Sequence, residues 1–183
     1  MDVVTESEKG SKLFGIIPKK ALLIAGGAIL LLVAVLAIVS IVSSINKAAN
    51  AEVTTLGTKI NELRVIIGYS NNNPINNSVT ATVVTETDVI TTSYFKEITN
   101  VYPAIDPEDY LNEEQVSAIF ELNNAKARGN LDSTYAKVLR DQLLSICNQI
   151  EILQKSASDA QSEVLTKVYN DFQELASRLP AAN

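Results

Sequence analysis

The chain has 183 residues, 46% of them hydrophobic and only 5% aromatic, and a formal net charge of −6 with no histidine and one cysteine. Zinc and haem sites rely on His or Cys, so this inventory argues against both, and no Ser-His or Cys-His pair can be built. An acidic chain also lacks the basic footprint that nucleic-acid binding needs.

Residues Ala21–Val42 read ALLIAGGAILLLVAVLAIVSIV, without a charge. Roughly 20 such residues at about 1.5 Å rise span the ~30 Å hydrocarbon core of a bilayer. A single segment in lipid satisfies its own backbone only as a helix. The run therefore predicts one transmembrane helix, with the lipid bilayer as its partner. Lys9, Lys12, Lys19 and Lys20 precede it, and Lys47, Lys59 and Arg64 follow more sparsely. The positive-inside rule places residues 1–20 as a short cytoplasmic tail and 43–183 outside the plasma membrane. A tail that short holds no signalling domain. Three other leaders compete. Ala49-Asn50-Ala51 fits a signal-peptidase site, which would release a secreted chain starting at Glu52. The apolar run is longer than the ~7–15 residues of a signal h-region, which favours retention. A type IV prepilin would carry a Glu near the start of its apolar helix, and none stands between Ile16 and Asn46. A lipoprotein needs a cysteine near the span, and the sole cysteine is Cys147. The span's small residues, Ala21, Ala25, Gly26, Gly27, Ala28, Ala34 and Ala37, suit close helix packing but form no clean GxxxG.

Beyond the span, 11 of the 15 basic and 18 of the 21 acidic residues remain, a net charge of −7. That balance opposes electrostatic attachment to anionic lipid. Apolar positions continue as Ile45, Ala49, Val53, Leu56, Ile60, Leu63 and Ile67, a coiled-coil-like seam near a 3.5-residue period. It predicts a helix over 43–67, continuous with the span, that Gly68 stops. The stretch from Asn71 to Ser78, NNNPINNS, is a turn cluster. It contains the glycosylation sequon Asn76-Asn77-Ser78.

Residues 79–101 are rich in Val, Ile and Thr, which favour strands. Yet Val79, Val83, Ile90, Tyr94, Ile98 and Val101 keep a helical spacing, with Glu86 or Thr87 filling the gap. The longer period predicts a helix. A helix over 107–128 follows, with Asp106 as N-cap, Pro107 at N1, Glu108 and Asp109 at the positive end of the dipole, and Gly129 at C′. Asp132 is the expected cap of a helix over 133–155, whose seam is Tyr135, Leu139, Leu143, Ile146, Ile150 and Leu153. Ser158 and Gln161 fit a capping box for a last helix over 159–179. Its seam is Val164, Val168, Phe172, Leu175 and Leu179, ended by Pro180. Leu153, Ala157, Ala160 and Val164 would also carry one unbroken helix. Similar segment lengths, which an antiparallel bundle needs, favour the hairpin.

The expected fold is all-α: one N-terminal transmembrane helix continuing into an antiparallel extracytoplasmic helical bundle. Cys147 is expected to pack as a small apolar residue. Glu86 and Asp88, two apart on a helix, should point in different directions. Asp106, Glu108, Asp109, Glu113 and Glu114 are the densest acidic group. Capping and the helix dipole account for them, and the calcium-loop pattern is absent. No catalytic, cofactor-binding or metal residue is nominated, and no cofactor. The expected function is a non-enzymatic interaction or scaffold protein of the cell envelope, with a protein partner or self-association. A ligand-sensing bundle that relays through a partner is the alternative, and a cleaved, secreted form is another.

Overall fold

The computed structural model describes residues 50–105 and 111–180. Among these, every regular element is helical: α1 (residues 50–72), α2 (Ser78–Val101), a 3₁₀ turn (Glu113–Gln115), α3 (Ser117–Ala127), α4 (Leu131–Gln154) and α5 (Asp159–Arg178). The apolar run Ala21–Val42, the seam positions Ile45 and Ala49, and the predicted cap Asp106 with Pro107 lie outside the described residues. Among the described residues, no helix is long and apolar enough to cross a membrane.

Hydrogen bonds between elements give their directions. Glu52 meets Gln149, Lys59 meets Ser145, and the Ile66 carbonyl meets Tyr135, so α1 and α4 are antiparallel. Glu86 meets Arg178, Tyr94 meets Asp171, and the Val101 carbonyl meets Gln161, so α2 and α5 are antiparallel. Tyr169 with Glu151 and Gln154 with Thr166 make α4 and α5 an antiparallel hairpin. Tyr69 with Asn123 and Asn73 with Lys126 set α3 parallel to α1. Successive helices thus alternate in direction, as short connections require.

The seams predicted for α1 and α4 are the core. Val53, Leu56, Ile60, Leu63 and Ile67 are buried, as are all six seam residues of α4. In α5, Val168, Phe172, Leu175 and Leu179 are buried, but Leu165 takes the inner place expected of Val164. These side chains join one aliphatic cluster with Val83, Ile98, Val116, Ile119 and Leu122.

Residues 78–101 form a helix despite their strand propensity, and hydrogen bonding shows how. The hydroxyls of Thr82, Thr85 and Thr87 donate to the carbonyls four residues back at 2.9, 3.1 and 2.6 Å. Thr54, Thr55 and Thr58 do the same in α1. A threonine bonded this way fits a helix without exposing its hydroxyl to the core. The inner face is part threonine: Thr80, Thr87 and Thr91 are buried, of which Thr87 bonds back to a carbonyl and Thr80 to Asn77 Oδ1, while Val79, predicted on the seam, is 51% exposed. Thr87 rather than Glu86 fills the gap in the seam.

Three predicted ends are corrected. Gly68 does not stop α1, which runs to residue 72. Its backbone has no positive φ, and a Cβ there would meet nothing within 4 Å. Buried Tyr69 draws the helix onward by donating its hydroxyl to Asn123 Oδ1 at 3.0 Å. Asn73 then ends it, its Nδ2 donating to the Tyr69 carbonyl at 2.9 Å. The second correction is to the single helix over 107–128. Asn112 and Gln115 close a capping box around the 3₁₀ turn, extended Val116 turns inward, and α3 starts only at Ser117. Third, Asp132 does not cap its own helix, whose N-cap is Asn130. Its carboxylate accepts from the backbone N–H groups of Asn76 and Asn77, both at 3.1 Å, clamping the turn that leads into α2.

The other caps stand as read. Gly129 has φ +74°, with Gly129 N–H to the Lys126 carbonyl and Asn130 N–H to the Ala125 carbonyl, a Schellman ending. Ser158 and Gln161 form the predicted box, and Gln161 also donates to the Val101 carbonyl at 3.1 Å, tying α5 to the end of α2. Ile105 approaches Gly57 so closely that a Cβ there would lie 3.1 Å from its Cγ2.

Leu143 and Phe172 sit at 0% and 1% exposure. Leu143→Ala is expected to cost about 2–5 kcal/mol and Phe172→Ala about 3–5 kcal/mol, through lost transfer energy and residual cavity. Denaturant unfolding followed by circular dichroism measures both; losses below about 1 kcal/mol at both sites would contradict this core.

Candidate functional site

Two surfaces combine shape with chemistry. The first is an open cleft of about 300 Å³ between α1 and α2, lined by Asn61, Arg64, Val65, Asp88, Thr92 and Leu111. The helical spacing of Asn61 and Arg64, and of Asp88 and Thr92, turns each pair to one side of its helix. The Arg64 guanidinium lies 5.0 Å from the Phe95 ring centroid, and Asn61 is buried. Ligand pockets commonly run from about 300 to 1,000 Å³, so this cleft is at the small end of that range. Asp88 faces it, whereas Glu86 takes both guanidinium nitrogens of Arg178 and is held below the usual carboxylate range by that bond. The two carboxylates do point apart.

The second surface is α3. Its inward stripe is Ile119, Leu122 and Ala125, continued back to Val116 by three-residue steps. Phe120 falls off that stripe and is 73% exposed. On one side of the ring lies a groove of about 290 Å³, walled by Phe120, floored by buried Val116 and Ile119, and rimmed by Glu113 and Glu114. On the other side Glu121, Asn124 and Arg128 line a second groove. Glu121 lies 4.0 Å from Lys137, but neither Glu113 nor Glu114 has an ion pair among the described residues. Burial, and then the charge of Glu113, raise the pKa of the Tyr69 phenol nearby. The sequence reading did not single out Phe120. The signal was present, since a stripe of threes from Val116 leaves residue 120 outside it.

Of the densest acidic group, Glu113 and Glu114 occupy the first turn of the 3₁₀ helix, whose capping box is made by Asn112 and Gln115. Asp106, Glu108 and Asp109 lie outside the described residues. Among the described residues, no three His, Cys, Asp or Glu side chains gather as metal ligands. Cys147 is buried, its thiol 3.8 Å from the Tyr169 carbonyl. Burial, and then the charge of Glu151, push the thiol up to about 11. Tyr94 donates to Asp171 Oδ2 at 2.6 Å. That bond, then burial, then the charges of Asp171 and Glu97, push the phenol up to about 12.

No protein-family model, curated protein or solved structure matches the chain.

Two outcomes follow from these side chains. Cys147 should resist an aromatic disulfide reagent at mildly alkaline pH in the folded chain and react fully once the chain is unfolded in guanidinium, because only the thiolate attacks. Rapid reaction of the folded protein would contradict its burial. For Tyr94, the folded pKa lies above the unfolded value of 10.0. Below pH 10 both states are protonated and the Asp171 bond contributes in full. Above it the unfolded phenol ionises first, so the contribution drains away as pH rises towards about 12. The melting-temperature gap between wild type and Tyr94→Phe should therefore be open at neutral pH and narrow across that alkaline window; a constant gap would show that the bond is not coupled to folding.

Proposed function

We propose that the chain is a membrane-anchored, non-enzymatic interaction or scaffold protein of the cell envelope. In this reading Ala21–Val42 crosses the plasma membrane with the N-terminus cytoplasmic, and the bundle is presented outside. The observation that carries it is the uncharged apolar run itself, long enough to span the hydrocarbon core. A large aromatic left in water on α3 supports the interaction half, because buried aromatic anchors dominate protein interfaces. A chain without histidine, whose one cysteine is buried, offers little to acid–base or nucleophilic chemistry.

A second reading keeps one specific observation. The cleft holding Arg64 and Asp88 gathers a cation, a carboxylate and amide groups beside an apolar wall, the makings of a small polar-ligand site. A sensor of that kind would bind its ligand there and relay through a partner.

Protease accessibility tests the topology. Protease added to intact cells, with any outer barrier opened, should digest the bundle and spare the N-terminal tail. A protected bundle with a digested tail reverses the orientation, and a mature N-terminus at Glu52 replaces the anchored protein with a released one. In the same membranes, chemical crosslinking should capture a protein that is lost when residues 79–183 are deleted, and the span alone should not retain it.

A further inference from the structure

We propose that the groove beside Phe120 receives an arginine side chain carried on an apolar stretch of a partner protein. This rests on the interaction reading above and specifies where the contact is made and by what chemistry.

Three features converge on that side chain. The exposed ring of Phe120 offers an electron-rich face to a cation, and guanidinium is the cation that stacks best on such a face. Glu113 and Glu114 stand at the groove's mouth without an ion pair among the described residues, ready to accept the planar fork of N–H donors. Val116 and Ile119 form an apolar floor along which the methylene stem can lie. The molecule already uses this ring-and-cation geometry internally, with Arg64 5.0 Å from the Phe95 centroid. Lysine would meet the charge but not the planar geometry.

Size and charge dispose of other occupants. At about 290 Å³ the groove has room for one long side chain, and its two carboxylates, with no cation among the lining residues, disfavour an anionic metabolite. Its carboxylates repel anionic lipid headgroups and nucleic-acid phosphates. Ringing an aromatic anchor with polar groups that exclude water is the usual layout of an interface hot spot. The apolar flanks of the partner segment would cover the remaining ring edge of Phe120.

The full chain, labelled with fluorophenylalanine and held in nanodiscs, provides the test. Its four phenylalanines give separate fluorine signals, and Phe120→Leu assigns the relevant one. The probes are three amidated peptides of one alanine–leucine sequence, with arginine, lysine or citrulline at the centre. Citrulline keeps the shape of arginine and removes its charge. The arginine peptide should shift the Phe120 signal and bind about fivefold more tightly than the citrulline peptide, with lysine between them. The double change Glu113→Gln with Glu114→Gln should erase that difference, and Phe120→Leu should weaken the arginine peptide on the order of tenfold. Equal binding of all three peptides, no binding, or a shift at another phenylalanine would overturn the proposal. So would a Phe120 signal that moves with protein concentration alone and is restored by Arg128→Gln, since a second copy would then be the occupant. A photo-crosslinker at position 120 separates this claim from the broader one. Partner capture from exposed Val89 on α2 but not from position 120 defeats the groove and leaves the scaffold reading intact, whereas no partner captured from either position defeats the scaffold reading and this proposal with it.

Discussion

Helix α4 is the constraint on which the bundle depends. Tyr135, Val138, Leu139, Leu143, Ile146, Cys147, Ile150 and Leu153 are buried along its whole length, a stripe wide enough to need cover from several sides. α5 folds back against one side, α3 and α2 take others, and α1 closes the remaining side. The α1 contact is the polar one. Gln149 donates to Glu52, Lys59 to Ser145, Gln142 to the Lys59 carbonyl and Glu62, and Tyr135 to the Ile66 carbonyl. Apolar burial drives the two helices together without choosing how they slide. Directional bonds at intervals along the pair penalise every register but one, because a slip would leave part-buried donors and acceptors unpaired.

The same accounting explains how a sequence rich in β-branched residues becomes a helix. The strand propensity of Val, Ile and Thr reflects packing on a pleated surface more than an intrinsic backbone preference. Once one face of residues 78–101 can be buried against α5 and α4, periodicity outweighs that propensity. Threonine adapts because its hydroxyl reaches a carbonyl one turn back. Thr87 does so while wholly buried. Thr91 is the exception: its hydroxyl is the one buried side-chain oxygen among the described residues without a partner. A small core polar group of this kind costs stability, and the fold gives no compensating bond there.

The surfaces proposed for function lie where the packing is least continuous. α3 is the shortest α-helix among the described residues and presents only a narrow stripe inward, so its aromatic residue stays in water beside the acidic 3₁₀ turn. The cleft of Arg64 and Asp88 opens between α1 and α2 beside Leu111. Both surfaces share their apolar floor with the core, through Ile67 in the cleft and Val116 and Ile119 in the groove. Their polar and aromatic groups, Arg64, Asp88, Glu113, Glu114 and Phe120, lie outside the buried seams, so these can be altered without emptying the core.

Local physics in the sequence determined most of the helical plan. Apolar steps of three and four residues marked the cores of α1 and α4, the S-x-x-Q pattern marked the start of α5, and Gly129 marked an end that only a positive φ could make. Such features act within four residues, so they are legible in the linear chain. The tertiary structure decided what depends on partners distant in sequence. Asp132 has the composition of a cap, but its acceptors serve Asn76 and Asn77, more than fifty residues away. Gly68 has the composition of a stop, but Tyr69 is held by Asn123. Phe120 has the composition of a core residue, but α3 turns Ile119 and Leu122 inward instead. A cap or stop preference is worth roughly 1 kcal/mol, small enough for a long-range hydrogen bond to offset it.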